Sequence, residues 1–163
     1  MSADSSGRII IKPIEKDART KELITGLLVI WEASVRASHH FLTESDIRDL
    51  YPQAEEAIRQ IDTLLVTDYD GSPIGFMGIQ SGKIEMLFLH PDHFRKGIGR
   101  ILIQKAFDEY DVQYVDVNEQ NPSAVKFYEK TGFRTFRRDA VDDYGNPFPI
   151  IRMKRDTASI PEK

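Results

Sequence analysis

Apolar and polar positions recur at two periods along this chain, and the points where the period changes predict its elements. "RIIIKPI" is a short apolar run of strand character. From Thr20 to about Ser38 the residues Leu23, Leu27, Ile30, Trp31 and Ser34 follow helical spacing, which predicts an amphipathic helix. A second helix is expected from Thr43 to about Ile61, broken at Pro52, because proline supplies no N–H and crowds the turn before it. Three strand-like runs follow: "TLLVTDY", "PIGFMGIQ" and "KIEMLFLH". The links "DGSP" and "SG" between them are short enough for antiparallel hairpins.

Beyond His90 the helical period returns, with Ile98, Ile101, Leu102 and Ala106 on one face. "QYVDV" reads as a strand, and "NPSAVKFYEKTG" as a short helix marked at both ends. Asn121 is a good N-cap, Pro122 suits the first turn, and Gly132 suits a left-handed C-terminal position. "FRTFRRDAV" and "FPIIRMK" close the chain as two strands. The passage from "KIEMLFL" through a helix to "QYVDV" is a crossover, so those two strands should run parallel within an otherwise antiparallel meander. The fold class is therefore α/β with a mixed sheet. Residues 1–7 and 156–163 are polar ends expected to be flexible, which leaves 8–155 as a single domain.

Composition narrows the function. The chain has 163 residues, 40% of them apolar and 29% charged, with a net charge of -4 and a pI near 5.6. That balance argues against a surface built to grip nucleic acid. No apolar run reaches the roughly 18 residues of a membrane span, and the first residues lack a secretion-signal layout, so a cytoplasmic protein without a membrane partner is expected. There is no cysteine, which excludes disulfides, thiolate metal sites and a cysteine nucleophile. His90 and His93 have no carboxylate or cysteine partners in a metal-binding pattern, and no metal is expected.

Against this acidic background, "HFRKGIGRIL" sets Arg95, Lys96 and Arg100 around Gly97, Ile98 and Gly99, just past the carboxyl end of a strand and at the start of a helix. No acid lies between Asp92 and Asp108, and Lys105 adds a further cation. The first N–H groups of a helix are free and carry the positive end of its dipole, and glycine lets an anion approach the backbone. The stretch is a phosphate or pyrophosphate cradle, or else a turn with a solvated basic face. It lacks the lysine and hydroxyl of a nucleotide-triphosphate loop, and Leu102 stands where the dinucleotide fingerprint needs a third glycine.

"LFLHPDHFRKGIGRILIQKAF" followed by "VNEQNPSAVKFYEKTGF" resembles the GNAT superfamily of acyl-CoA-dependent N-acetyltransferases over about residues 84 to 154. The first stretch is like its R/Q-x-x-G-x-G/A loop, and the second like its N-x-x-A-x-x-x-Y-x-x-x-G-F segment. "WEASVRASHHFL" and "DDYGNPFPIIRM" look like a bacterial YjaB-like branch. The chain departs from the pattern at Phe94, where Arg or Gln is usual, and Arg95 stands where glycine is common.

The resemblance implies a mostly antiparallel sheet with a parallel, splayed strand pair at its centre and about four flanking helices. It implies acetyl-CoA as co-substrate and a small-molecule or peptide amine as acceptor. The cofactor arm would run along Leu87, Phe88 and Leu89, with the Leu89 N–H polarising the thioester carbonyl. Its diphosphate would meet Arg95 to Arg100. Asn118, Asn121, Ala124 and Phe127 would line its path, Phe127 being also a candidate for plain packing.

Tyr128, two helical turns from Asn121, is the expected general acid, since a phenol stays protonated at neutral pH. Glu85 interrupts an apolar strand, and alternation sets it on the face of Leu87 and Leu89; it is a general base or an edge residue reaching solvent. His39 and His40 follow the first long helix and are alternative bases or acceptor ligands. The missing cysteine favours direct attack over an acyl-enzyme. The alternative is an acyl-CoA-binding GNAT-like module without turnover. The C-terminal hairpin leaves a homodimer open.

Overall fold

Side-chain caps fix where three of the four α-helices begin among the described residues. In a computed structural model describing residues 8–156, α1 (Lys21–Ser38) starts at Thr20, whose hydroxyl accepts from the Leu23 N–H. A reciprocal Thr43–Asp46 capping box starts α2 (Glu44–Gln60). Contrary to the expectation of a break, α2 runs through Pro52 without interruption. Proline removes one hydrogen bond there, and the burial of Ile47 and Ile58 on the face turned to α1 and the sheet holds the helix together across it.

Strands β1 (Ile9–Pro13), β2 (Thr63–Tyr69), β3 (Ser72–Gln80), β4 (Lys83–Leu89), β5 (Tyr114–Asn118), β6 (Phe133–Asp139) and β7 (Ile150–Arg155) form one sheet in the order β1-β2-β3-β4-β5-β7-β6. The β2–β3 and β3–β4 hairpins turn on Asp70–Gly71 and Ser81–Gly82. All four residues have positive φ, the requirement of a tight turn that matches strand twist. Helices α3 (Ile98–Tyr110) and α4 (Pro122–Thr131) cover one face of the sheet and α1 and α2 the other. Each face has its own core, with Leu65, Met77, Leu102 and Phe133 in the first, and Leu27, Ile58, Leu64 and Phe76 in the second. Ile101, assigned to the buried face of α3 by its spacing, is instead 48% exposed; Ile98, Leu102 and Ala106 alone form that stripe, joined by Ile103 and Phe107.

All neighbouring strands are antiparallel except β4 and β5, which run parallel as their crossover requires. They pair only at Lys83–Tyr114 and Ile84–Val115. Beyond that point β4 stays with β3 and β5 with β7, and the sheet forks. The C-terminal assignments for α4 hold: Asn121 accepts from the Ala124 N–H, Pro122 opens the helix, and Gly132 ends it at φ 113. Asp156 belongs to the ordered body, its N–H donating to the Gly132 carbonyl at 2.7 Å. The expectations for residues 1–7 and 157–163 lie outside the described residues.

One buried cation ties the α1–α2 layer to the sheet. Arg19 is 7% exposed and donates through Nη1 to the carbonyls of Ile58, Arg59 and Ile61, and through Nε to that of Ile14. A cation on the last carbonyls of α2 is favoured by the helix dipole as well as by the hydrogen bonds. Replacing Arg19 by Met strands those carbonyls and should lower stability by about 3 kcal/mol in urea unfolding. Lysine keeps the charge but not the fork of donors, and Arg19→Lys should recover less than half of the loss.

Candidate active site

The fork is where sequence and topology leave backbone groups without partners. The His90 N–H donates back to Ile74 on β3 at 2.8 Å, so by strand alternation Phe88 also turns its polar groups toward β3. Leu87 and Leu89 then turn their N–H and C=O groups into the gap. They have no strand partner there, so a ligand or water can meet them.

A bulge at the mouth of the fork aims Glu85. Gly78 pairs with Met86 and Ile79 with Ile84, so Glu85 is an extra residue with no partner on β3. The bulge resets the alternation. Ile84, Leu87 and Leu89 pack on the α3–α4 side, and Met86 and Phe88 on the α1–α2 side. The expectation that strict alternation sets Glu85 with Leu87 and Leu89 is therefore corrected: Glu85 lines the cavity of Met86 and Phe88 on the α1–α2 side.

Three adjoining cavities meet at the fork. A groove of about 810 Å3 lies over the N-termini of α3 and α4 and is bounded by Leu87, Leu89, Phe94, Arg95 and Tyr128. A junction of about 160 Å3 occupies the fork itself, between Glu85, Leu87, Asn118 and Tyr128. A pocket of about 250 Å3 lies beyond it, walled by Trp31, Phe41, Leu50, Phe88 and Phe148. Asn121, Ala124 and Tyr128 are common to groove and junction. His39, Glu85 and Asn118 are common to junction and pocket.

The groove fits a diphosphate. Of the four α-helices, α3 is the one without a side-chain cap among the described residues, and it has no acid in its first turn. Its N-cap is Gly97 at φ 81, and nothing lies within 4 Å of where a Cβ would stand. Gly99 serves differently: a Cβ there would meet the Phe127 ring at 3.0 Å, so this glycine seats α4 against α3. Arg95, at the position where the family favours glycine, has φ 63, a left-handed backbone that explains the preference. Arg95, Lys96 and Arg100 are exposed and form no ion pair among the described residues. Lys105 is drawn away by Glu109 at 3.0 Å and does not belong to this cluster.

Tyr128 is 8% exposed, edge-on to Phe127 and Phe133, and burial pushes its phenol above the ordinary range. Burial likewise raises the Glu85 carboxyl. Lys83, at 3.8 Å, is the main opponent of that rise, while Asp116 and Asp143 add to it. His39 is half-buried and held neutral down to a pKa of about 4, by loss of solvent first and by His40 second. His40 is exposed and borders the groove rather than the far pocket. Asn118 accepts from the Gln120 N–H at 3.0 Å, which shapes the turn into α4.

Sequence reading missed the charges behind the fork. Asp116, the first residue of β5 past the pairing, contacts Lys83 and accepts from Arg152 Nη1 at 2.6 Å. Arg152 also holds Asp139 at 2.7 Å and Asp143 at 2.9 Å, fastening the β6–β7 loop that carries Phe148 over the far pocket. Their alternation with apolar residues on β5 and β7 marked them as one side of the sheet but gave no sign that they converge. Among the described residues no three His, Asp or Glu side chains gather as a metal site would require.

Residues 36–155 match the family model of the acetyltransferase (GNAT) domain. The peptidyl-lysine N-acetyltransferase YjaB of Salmonella typhimurium is 36% identical over 128 residues, covering 78% of this chain and 88% of that protein. The solution structure of apo-form YjaB from Escherichia coli superposes with a TM-score of 0.80 at 32% identity, covering 91% of this chain and 97% of that one. The PaiA N-acetyltransferase from Thermoplasma acidophilum, solved in complex with coenzyme A, shares the fold with a TM-score of 0.63 at 20% identity, covering 90% of this chain and 99% of that one. The forked parallel pair, the uncapped glycine turn and a family match over most of the chain agree, and this protein belongs to the GNAT acetyltransferase family.

Proposed function

We propose that this protein transfers the acetyl group of acetyl-CoA to the ε-amine of a peptidyl lysine by direct attack. The observation that carries the reading is the passage through the fork, with Tyr128 on its groove side and Glu85 on its pocket side. Acetyl-CoA supplies an activated acyl group as a thioester. In this reading its diphosphate rests on the N–H groups around Gly97 to Arg100, and its arm lies along Leu87 and Leu89. The Leu89 N–H then donates to the oxygen of the reacting carbonyl, a contribution of about 3 kcal/mol to lowering the barrier.

The lysine reading draws on the far pocket and on the YjaB relatives, which are peptidyl-lysine N-acetyltransferases. The pocket's aromatic and aliphatic walls suit a methylene chain, and its charged lining groups, Glu85 and Asp142, are both acidic. Glu85 takes one proton from the incoming ammonium. The freed lone pair forms the C–N bond, the C–S bond breaks, and its electrons leave on sulfur. The second proton that the nitrogen sheds as it becomes an amide passes to the departing thiolate and gives the free thiol. Tyr128 faces that sulfur as a neutral donor. Full transfer from a buried phenol to a thiolate, ordinarily near pKa 8.5, is uphill, so Tyr128 acts chiefly by hydrogen bonding while the bond breaks.

Thiol release from acetyl-CoA in the presence of lysine peptides tests the reading directly; a protein that binds acetyl-CoA but releases no thiol with any amine would be a binding module instead. Tyr128→Phe should lower kcat about 10²-fold while acetyl-CoA affinity in calorimetry stays within a factor of two. Glu85→Gln should remove the rising limb of the pH–rate profile. In the wild type that limb should lie above the ordinary carboxylate range, because the base works deprotonated and burial raises its pKa. Gly97→Val should weaken acetyl-CoA binding at least tenfold, since a branched side chain is strained at φ 81 and fills the space over the turn.

A further inference from the structure

The last turn of α1 dictates which nitrogen of His39 carries a proton. The Ser38 hydroxyl lies 2.7 Å from the Ser34 carbonyl oxygen, four residues back, and 2.8 Å from His39 Nδ1. Serine has one hydroxyl hydrogen. A carbonyl oxygen at that distance accepts it, because two lone pairs would otherwise face each other. Ser38 Oγ must then accept from His39, and the hydrogen sits on Nδ1. The neutral ring has no second hydrogen, so Nε2 presents a lone pair.

The ring has little freedom to do otherwise. His39 caps α1, its N–H bonded to Val35 at 2.7 Å, and its ring rests on Phe41 at 5.5 Å, which in turn meets Phe148. Nε2 has no hydrogen-bond partner among the described residues and is not one of their buried, unpartnered atoms, so it keeps some accessible surface. The cavities that His39 lines are the junction and the far pocket, shared with Glu85.

We propose that His39 Nε2 receives an N–H of the acceptor amine, and that Ser38 is the positioning residue that fixes the required tautomer. The inference rests on the acetyltransferase reading and divides the labour within it. Glu85 removes the proton; His39 holds the nitrogen so that its freed lone pair turns toward the thioester. A ring that becomes charged only near pH 4 is a poor base at neutral pH but a constant acceptor. The charged groups around it are consistent with a cationic guest: Glu85 and Asp142 line the far pocket, Asp116 the junction, and His40 follows in the chain.

Nitrogen-15 spectra of the imidazole test this without any assumption about turnover. At pH 7 the wild type should show His39 protonated at Nδ1, Ser38→Ala should shift it toward the Nε2–H form, and Ser38→Thr should restore it. Addition of Nα-acetyl-lysine amide should move the Nε2 resonance. An Nε2–H ring in the wild type, or an Nε2 signal indifferent to the amine, overturns the proposal even if acetyl transfer is observed. A moved Nε2 signal with no thiol release would instead sink the acetyltransferase reading alone. In active protein His39→Phe should raise KM for that amine about tenfold, leaving the pH limb and acetyl-CoA affinity in place. Loss of the limb would make His39 the base, and an unchanged KM would leave it no role; either result refutes the assignment.

Discussion

Two residue pairs of parallel sheet, Lys83–Tyr114 and Ile84–Val115, are the constraint on which the site depends. Had β4 and β5 gone on pairing, Leu87 and Leu89 would spend their backbone groups on β5 and no passage would cross the sheet. An interior gap of this kind gives up strand pairing, whose hydrogen bonds each contribute about 0.5–1.5 kcal/mol net. The charges at its closed end hold the two halves at a fixed opening. Arg152 and Lys83 converge on Asp116, and Arg152 reaches on to β6 and the loop beyond. These groups are partly desolvated and mutually satisfied, so they act as a spacer that hydrophobic contacts, lacking direction, would not provide.

The same gap sorts the titratable groups. Tyr128 sits where burial keeps a phenol neutral, and Glu85 where burial raises a carboxyl but Lys83 limits the rise. His39 lies where burial keeps the imidazole uncharged down to a pKa of about 4. Tyr128 and His39 are biased toward the neutral state that their proposed tasks need, while the raised pKa of Glu85 makes it a stronger base once ionised; in each case loss of solvent is the first cause. The bulge at Glu85 makes this possible with a single extra residue, since an unbulged β4 would turn that carboxylate toward the cofactor side.

How much of this was legible in the sequence follows from how local each feature is. The turns at Asp70–Gly71 and Ser81–Gly82 and the caps at Asn121 and Gly132 are set by residues a few positions apart, and the β4–β5 crossover by the strand–helix–strand order along the chain; all of these read correctly. Pro52 misled because tertiary burial of Ile47 and Ile58 outweighs one missing hydrogen bond. Glu85 was assigned the wrong face because a bulge depends on register with β3, which no period within β4 can reveal. Gly99 looked like a second phosphate glycine, yet its neighbour is Phe127, 28 positions along. The convergence of Lys83, Asp116 and Arg152 was invisible for the same reason: it exists only once three strands lie side by side.

The glycine turn also resolves why an acidic chain carries a cationic knot. A net charge of -4 repels a diphosphate at long range, but at physiological salt such fields fade over about 8 Å. Within that distance the diphosphate of the proposed co-substrate would meet Arg95, Lys96, Arg100 and an uncapped helix terminus, with no acid in the first turn of α3. At the other mouth Glu85 and Asp142 present the opposite sign. The two substrates proposed here carry opposite charges, and each opening attracts one and discourages the other. The passage between them is polar at the fork, and among the described residues no lysine or arginine lines it, so an ammonium arriving from the far pocket finds acceptors there: a carboxylate, a neutral imidazole and backbone oxygen.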